Sequence, residues 1–312
     1  MNELRIAEPV LFVLGRNLRG LIQGMRPLEW SKNLLVFSGL IFSRSLLDPA
    51  NVYLSVMGFL LFCSAASGVY LFNDLCDLKG DREHPVKRNR PIASGALNIN
   101  FARLMSVVLF ATAILGSVAL NTHFALVIGV YVITCIGYSL RLKDIVILDV
   151  IIVATGFVLR AVSGALLIGV EPSEWLVLCT SMVALLIGFG KRRHELVLLE
   201  NDARHHRRSL GDYSVEFLDA IMTICAGAAV LTYALYTRAD ETVARVGSHA
   251  MLLTIPFVVY GVFRYLFLTY KRDAGGDPVQ LLFRDRSTLL TMSLWIVTSV
   301  MVIYLPRLLH LG

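Results

Sequence analysis

Long apolar runs separated by short charged connections are the dominant pattern of the chain. Each run has the roughly 20 residues that a helix needs to cross the hydrocarbon core of a bilayer. Because lipid offers no hydrogen-bond partners, the backbone of these runs must be helical. The pattern therefore predicts an all-α integral membrane protein with nine transmembrane helices, near residues 28–47, 51–72, 101–120, 122–140, 146–169, 173–190, 216–236, 250–269 and 289–306.

The composition agrees with a membrane protein, since 56% of the residues are hydrophobic and soluble domains have about 45–50%. Residues 1–25 lack the clean apolar core and the cleavage site of a secretory signal. Arg5, Arg16 and Arg19 stand among apolar residues there, which predicts an amphipathic helix on the membrane surface. Residues 26–312 are predicted to form one membrane domain.

The positive charges of the chain are unevenly distributed between the two sides of the predicted bundle. Of the 29 lysines and arginines, 22 fall in the N-terminal arm or in the connections after the second, fourth, sixth and eighth spans. Positive charge is enriched on the cytoplasmic side of membrane proteins. We therefore expect a cytoplasmic N-terminus, a C-terminus outside, and polar loops concentrated on the cytoplasmic face.

An acidic motif follows the second span. On a helix, Asn73, Asp74, Asp77 and Asp81 fall within an arc of about 100°. Close carboxylates repel one another unless a cation compensates them, and Mg²⁺ prefers carboxylate oxygens shared with water and phosphate. We predict that these four residues hold Mg²⁺ and that Asp74, Asp77 and Asp81 are catalytic. The alternative is an ordinary hydrophilic loop whose charges are solvated.

Basic residues follow the acidic motif and recur after the sixth span. Lys87, Arg88 and Arg90 come directly after the motif and suit phosphate oxygens. Lys191 and Arg192 begin a second basic segment. This segment is either a second phosphate clamp or a topological anchor of the sixth helix, and the pattern does not choose between them.

Further polar candidates lie at the membrane ends of other predicted helices. Tyr138 and Lys143 occupy the connection after the fourth span, and Lys32 precedes the first. Lys32 is most simply a topological charge, but it could instead reach a lipid phosphate. Arg160 lies inside the fifth span, where a charge is costly and usually faces a polar cavity. A structural role for Arg160 is an equal alternative to substrate binding.

Several other classes of site are not indicated by the sequence. The five cysteines are scattered without a CxxC pair, and the seven histidines form no zinc-binding pattern. There is no GxxxxGK[ST] or GxGxxG nucleotide motif. The cations lie along membrane ends and not on a separate basic domain, so nucleic acid is not an expected partner.

The acidic motif and the number of predicted spans resemble those of the UbiA-type superfamily of intramembrane prenyltransferases. The similarity runs from about Arg26 to the end of the chain. It is greatest to the branch that transfers phosphoribosyl groups to a polyprenyl phosphate. The stretches that carry it are Arg26-Pro27-x-x-Trp30-x-Lys32-Asn33, the run from Asn73 to Gly95, Tyr138-Ser139-x-x-Leu142-Lys143 and Gly190-Lys191-Arg192-x-x-Glu195.

The resemblance implies a nine-helix bundle in a bacterial plasma membrane, with cytoplasmic active-site loops. Aromatic prenyltransferases of the superfamily carry a second aspartate-rich motif after the sixth span. Here that place holds Lys191, Arg192 and Arg193, which fits a donor with an additional phosphate that is not metal-bound. The implied donor is phosphoribosyl pyrophosphate, the acceptor is polyprenyl phosphate, and the product feeds arabinose-containing cell-envelope polymers. Predicted substrate-binding residues are Lys32, Asn73, Lys87, Arg88, Arg90, Tyr138, Lys143, Arg160, Lys191 and Arg192.

Two other functions are weighed against this one. An aromatic prenyltransferase with a prenyl diphosphate donor would share the acidic motif, but it would need the second one. A transporter of lipid phosphates would place charges at broken helices near the midplane, whereas here they cluster at one face. The sequence leaves the oligomeric state open, a homo-oligomer included.

Overall fold

The computed structural model describes residues 10–199, 208–272, 281 and 284–309. In this part of the chain the secondary structure is helical throughout, without a strand. The α-helices are α1 (Val10–Met25), α2 (Phe37–Phe42), α3 (Pro49–Cys76), α4 (Leu78–Glu83), α5 (Ile99–Leu120), α6 (Thr122–Leu140), α7 (Leu148–Leu167), α8 (Glu174–Leu199), α9 (Val215–Arg238), α10 (Asp240–Val246), α11 (Ile255–Arg272) and α12 (Arg286–Leu309). Five 3₁₀ helices are described as well, at Pro27–Val36, Lys87–Asn89, Leu142–Asp144, Arg208–Asp212 and Ala250–Thr254.

Eight helical segments within the described residues are long and apolar enough to cross a membrane, and the chain is a multi-pass membrane protein. They are α3, α5, α6, α7, α8, α9, α12 and the segment Ala250–Lys271 that contains most of α11. These eight confirm the all-α class and the second to ninth predicted spans. The sixth extends further than predicted, because α8 continues through Lys191 and Arg192 to Leu199.

The first predicted span, 28–47, is not one long α-helix. The chain forms a ten-residue 3₁₀ helix, Pro27–Val36, followed by the six residues of α2. At about 2.0 Å per residue for the first and 1.5 Å for the second, they extend over roughly 29 Å. This length matches the roughly 30 Å of a bilayer core. The ninth crossing therefore stays a prediction, which rests on this length alone.

Small residues bring this first segment against α7. A methyl group on Gly164 would overlap the carbonyl oxygen of Val36, and one on Gly39 would lie 2.7 Å from the Cα of Ala165. Backbone contact of this kind between membrane helices requires glycine at the crossing point. The close approach fixes the segment that carries Lys32 beside the centre of the bundle.

Helix α1 is attached to the bundle by its second half, and residues 1–9 of the predicted interfacial segment lie outside the described residues. Leu21 joins a buried cluster with Leu71 of α3 and with Ile92 and Leu97 of the following connection. Gly20 closely approaches Ala96. These contacts hold the connection between α4 and α5 against the bundle, where it carries the first basic cluster of the sequence.

Arg160 lies in the bundle interior, where it joins three elements. Only 5% of its surface is exposed. Its Nε donates to Asn33 Oδ1 at 2.7 Å, its Nη2 to the Tyr131 hydroxyl at 2.8 Å, and its Nη1 to the Gly156 carbonyl at 2.7 Å. Asn33 in turn donates to Cys63 Sγ. These bonds support the structural alternative for Arg160 over substrate binding.

We expect Arg160→Met to lower the stability of the bundle by about 3 kcal/mol, because it leaves buried hydrogen-bonding groups of Asn33 and Tyr131 without a partner. Thermal unfolding in detergent checks the change. Arg103→Met, at an exposed position of α5, is the matched control and should leave the midpoint unchanged. Equal midpoints for the two variants would contradict the structural role.

Candidate active site

The acidic motif spans the junction of α3 and α4, which preserves its helical spacing. The amide of Asp77 donates to the Asn73 carbonyl at 2.9 Å, and the amide of Asp81 donates to the Asp77 carbonyl at 2.8 Å. The i to i+4 ladder therefore passes through the junction almost unbroken. Asp74 and Asp81 both point into the protein, with 2% and 3% of their surface exposed.

Arginines compensate the two buried carboxylates. Asp74 Oδ1 accepts from Arg26 Nη2 at 2.6 Å and from Arg90 Nη1 at 3.0 Å. The same Arg90 nitrogen donates to Asp81 Oδ2 at 2.7 Å. Arg90 thus bridges the two acids, and Arg26, at the junction of α1 and the first 3₁₀ helix, adds a second cation to Asp74.

Asp77 has a different pair of partners. It forms an ion pair with Lys143 of the connection between α6 and α7, and it accepts from Asn73 Nδ2 at 3.1 Å. Its side chain is 29% exposed, so it is far more accessible than Asp74 and Asp81. The structure therefore brings Lys143, one of the predicted substrate-binding residues, to the acidic motif.

The acidic motif fits Mg²⁺ in the chemistry of its oxygens. Among the described residues, no three His, Cys, Asp or Glu side chains converge as a metal site, and the carboxylates of the motif are paired with arginine and lysine. Asp74 Oδ2 is nevertheless buried without a hydrogen-bond partner in the described part of the chain. Carboxylate and amide oxygens are preferred ligands of Mg²⁺, and a buried carboxylate oxygen without a donor is open to a cation.

A second group of charged residues comes from the first 3₁₀ helix and α8. Lys32 forms an ion pair with Glu29, and the Tyr70 hydroxyl lies 3.5 Å from Glu29 Oε2. Lys191 interacts electrostatically with Glu195, Glu29 and Lys32. The predicted candidates Lys32 and Lys191 therefore share one environment. We call it the basic wall after these two lysines, and it also includes their acidic partners Glu29 and Glu195.

Lys87 is in electrostatic contact with both the acidic motif and the basic wall. It interacts with Asp77 and Asp81 of the first and with Glu195 of the second. His84 shapes this part of the connection, because its Nδ1 accepts the backbone amides of Val86 and Lys87 at 3.1 and 3.2 Å. Burial, followed by the charge of Arg90, lowers the pKa of Lys87, and the neighbouring carboxylates oppose the shift.

The lowered pKa of Lys87 gives a prediction for pH dependence. If the Lys87 cation binds a phosphate, activity is lost as the pH rises through this lowered pKa, earlier than for an ordinary lysine. Lys87→Arg, which stays charged, should shift the alkaline limb of the pH–rate profile to higher pH. The stability of the fold changes in the opposite direction to activity. Between the lowered pKa of the folded state and the ordinary pKa of the unfolded state, the unfolded chain binds more protons, so stability rises with pH in that window. An alkaline limb at the same pH in Lys87→Arg would show that the charge of Lys87 does not contribute to the reaction.

The remaining candidates differ in their exposure to solvent. Arg192 is 4% exposed, lies 3.3 Å from Asp149 Oδ2 through its Nε, and forms an ion pair with Glu195. These contacts favour a positioning role for Arg192 over direct substrate binding. Arg88 is exposed at the surface of its 3₁₀ helix, and Tyr138 is half-buried in the last turn of α6.

The structure also adds residues that were not assigned from the sequence. Arg26 lies in one of the stretches that carry the family resemblance, which was a usable signal. Glu29 and Glu195 also lie in such stretches, as neighbours of the predicted lysines. Tyr70 and Tyr213 had no sequence signal, because an isolated tyrosine near a membrane end is most often an interfacial residue.

Fold and sequence together define the class of protein. A sequence model of the UbiA prenyltransferase family matches residues 34–286, and the chain belongs to that family. A UbiA homologue from Archaeoglobus fulgidus, solved with GPP and Mg²⁺, superposes with a TM-score of 0.70 over 91% of this chain and 99% of the other, at 19% identity. That likeness shows the shared fold.

Relatives within the family are more similar in sequence. The decaprenyl-phosphate phosphoribosyltransferase of Corynebacterium glutamicum is 34% identical over 297 residues, covering 92% of this chain and 87% of the relative. The protein of the same name from Mycolicibacterium smegmatis is 33% identical over 91% of this chain and 92% of its own length. The predicted membership of the family is confirmed.

Proposed function

We propose that the protein transfers the 5-phosphoribosyl group of phosphoribosyl pyrophosphate to a polyprenyl phosphate of the decaprenyl type and releases pyrophosphate. Its relatives named decaprenyl-phosphate phosphoribosyltransferase support this. The observation that carries it is the arrangement of charge, because Lys87 interacts electrostatically both with the acidic motif and with Glu195, which shares the basic wall with Lys32 and Lys191. A donor with a pyrophosphate at one end and a phosphate at the other matches this arrangement.

The pyrophosphate end of the donor belongs at the acidic motif. Asn73, Asp74, Asp77 and Asp81 would hold Mg²⁺, which when bound supplies Lewis-acid stabilisation of the leaving group. Arg26, Arg90 and Lys143 pair with these carboxylates in the structure. On substrate binding they exchange carboxylate for phosphate oxygens, and Lys87 adds its charge to the departing pyrophosphate.

The other end of the donor and the lipid phosphate belong at the basic wall. Lys32 and Lys191 supply ammonium groups there. The lipid phosphate is an anion at neutral pH, so its oxygen attacks the anomeric carbon without a dedicated general base. The attack is in line, the C1–pyrophosphate bond breaks, and the configuration at C1 inverts. Catalysis then consists of positioning and electrostatic stabilisation.

The membrane arrangement follows from the same site. We propose that the acidic motif and the basic wall face the cytoplasm of a bacterial plasma membrane, with the N-terminus on that side and the C-terminus outside. Residues 1–25 lie at the interface, and residues 26–312 form a single catalytic domain. The polyprenyl tail remains among lipid-facing helices.

A donor comparison in membranes tests the proposal. Membranes containing the protein receive polyprenyl phosphate with either labelled phosphoribosyl pyrophosphate or a labelled prenyl diphosphate plus an aromatic acid. We expect a mild-acid-labile phosphoribosyl lipid and stoichiometric pyrophosphate from the first donor alone. A prenylated aromatic product would assign the protein to the other branch of the family. Movement of lipid phosphate without a new covalent product would indicate a transporter.

A further inference from the structure

The turn that starts α7 has an uncommon backbone conformation. Ile147 has φ 68° and ψ −47°, and the amide of Leu148 donates to the Val146 carbonyl at 2.8 Å. These values define a γ-turn with positive φ, a rare and strained form. A β-branched residue in this region is a conformational outlier. Strain of this kind persists only where surrounding contacts hold it.

Tyr213 provides the contact that holds the turn. Its hydroxyl accepts the Ile147 amide at 2.6 Å and donates to Asp149 Oδ1 at 2.8 Å. Tyr213 is 6% exposed, and Asp149 is fully buried. Tyr213 belongs to the connection between α8 and α9, so the hydroxyl joins two segments that are 64 to 66 residues apart in sequence.

The residues on either side of the turn contact both halves of the candidate site. Four residues before it, Lys143 forms the ion pair with Asp77 of the acidic motif. Two residues after it, Asp149 lies 3.3 Å from Arg192, which holds Glu195 of the basic wall. One hydroxyl therefore contacts both the turn that follows Lys143 in the chain and the carboxylate that lies against Arg192.

We propose that Tyr213 is a positioning residue that fixes Lys143 and the basic wall relative to each other, so that both can bind the phosphoribosyl donor. The inference rests on the proposed function. Tyr213 does not itself touch the substrate in this scheme, because its hydroxyl uses its proton on Asp149 and accepts from Ile147. It acts through the γ-turn on Lys143 and through Asp149 on Arg192 and Glu195.

Tyr213→Phe removes the hydroxyl and keeps the ring, which stacks on Phe217. The Ile147 amide loses its acceptor, the γ-turn relaxes, and Lys143 loses its fixed position. We expect KM for phosphoribosyl pyrophosphate to rise by about tenfold, since a small misplacement of a binding group is enough for a change of this size. KM for polyprenyl phosphate should rise by a smaller factor, because the lipid phosphate uses only the basic wall, whereas the donor uses Lys143 as well.

Tyr233→Phe is the matched control. Tyr233 is also buried, and its hydroxyl also has two partners, Thr254 Oγ1 at 2.7 Å and Trp295 Nε1 at 2.8 Å. Those partners belong to neither the acidic motif nor the basic wall. This variant should lose comparable thermal stability while both Michaelis constants stay at the wild-type values.

A double-mutant cycle with Lys143→Ala separates positioning from general destabilisation. If Tyr213 acts through Lys143, the rise in donor KM in the double variant is clearly smaller than the product of the two single effects, because the interaction that they share is already lost. Additive effects, or a Tyr213→Phe variant that behaves like Tyr233→Phe, would overturn the inference while wild-type transfer stands. A wild-type protein that does not use phosphoribosyl pyrophosphate would overturn the proposed function as well.

Discussion

Asp77→Asn should reduce pyrophosphate release from phosphoribosyl pyrophosphate by at least about 100-fold, the size of effect seen when a single group that stabilises transition-state charge is removed. Asp77 is the most accessible of the three acids and pairs with Lys143. The amide keeps the shape of the side chain but removes the charge. Because the side chain of its partner Lys143 is itself 21% exposed, the substitution leaves no fully buried cation without compensation, and the fold should persist.

The measurement combines labelled-donor turnover with detergent extraction and thermal unfolding of the same preparation. Asp144→Asn is the matched control, because Asp144 is an exposed acid adjacent to Lys143. It should keep wild-type turnover. Near-normal turnover by Asp77→Asn would refute a metal and leaving-group role for the acidic motif, whatever the stability of the variant.

The sequence was most informative where a single helix determines the outcome. Helical periodicity alone places Asp74, Asp77 and Asp81 on adjacent turns, and the ladder through the α3–α4 junction preserves this spacing. The long apolar runs of α5, α6 and α9 likewise end within two residues of their predicted boundaries. In these cases composition and period carry the whole signal.

Tertiary contacts decided the cases that the sequence could not. The run at 28–47 is apolar enough for a long helix, but packing of Gly39 and Val36 on Gly164 accompanies a 3₁₀ form. Arg160 and Arg192 look like free cations in the sequence, and each one has buried partners on other elements. The strained turn at Ile147 depends on a hydroxyl 66 residues away, so no local pattern could predict it.

Arg90→Ala should have a large effect on both stability and activity, because Arg90 bridges Asp74 and Asp81. Those carboxylates have only 1% and 4% of their side-chain surface exposed. Leaving a buried charge unpaired costs on the order of 3 kcal/mol. Arg26 still compensates Asp74, so Asp81 loses the most. Thermal unfolding and donor turnover of the purified variant measure the two effects.

Asp81→Asn in the same chain separates the two roles of Arg90. The double variant has no unpaired charge at position 81, so its unfolding midpoint should recover toward the wild-type value. If Arg90 served only to neutralise Asp81, the double variant would turn over at the rate of Asp81→Asn alone, which is the reference because Asp81 is itself a proposed metal ligand. In the exchange of carboxylate for phosphate oxygens proposed above, Arg90 is itself a ligand of the departing pyrophosphate. Turnover of the double variant should then fall well below that of Asp81→Asn alone, and equal rates would show that Arg90 acts only on Asp81.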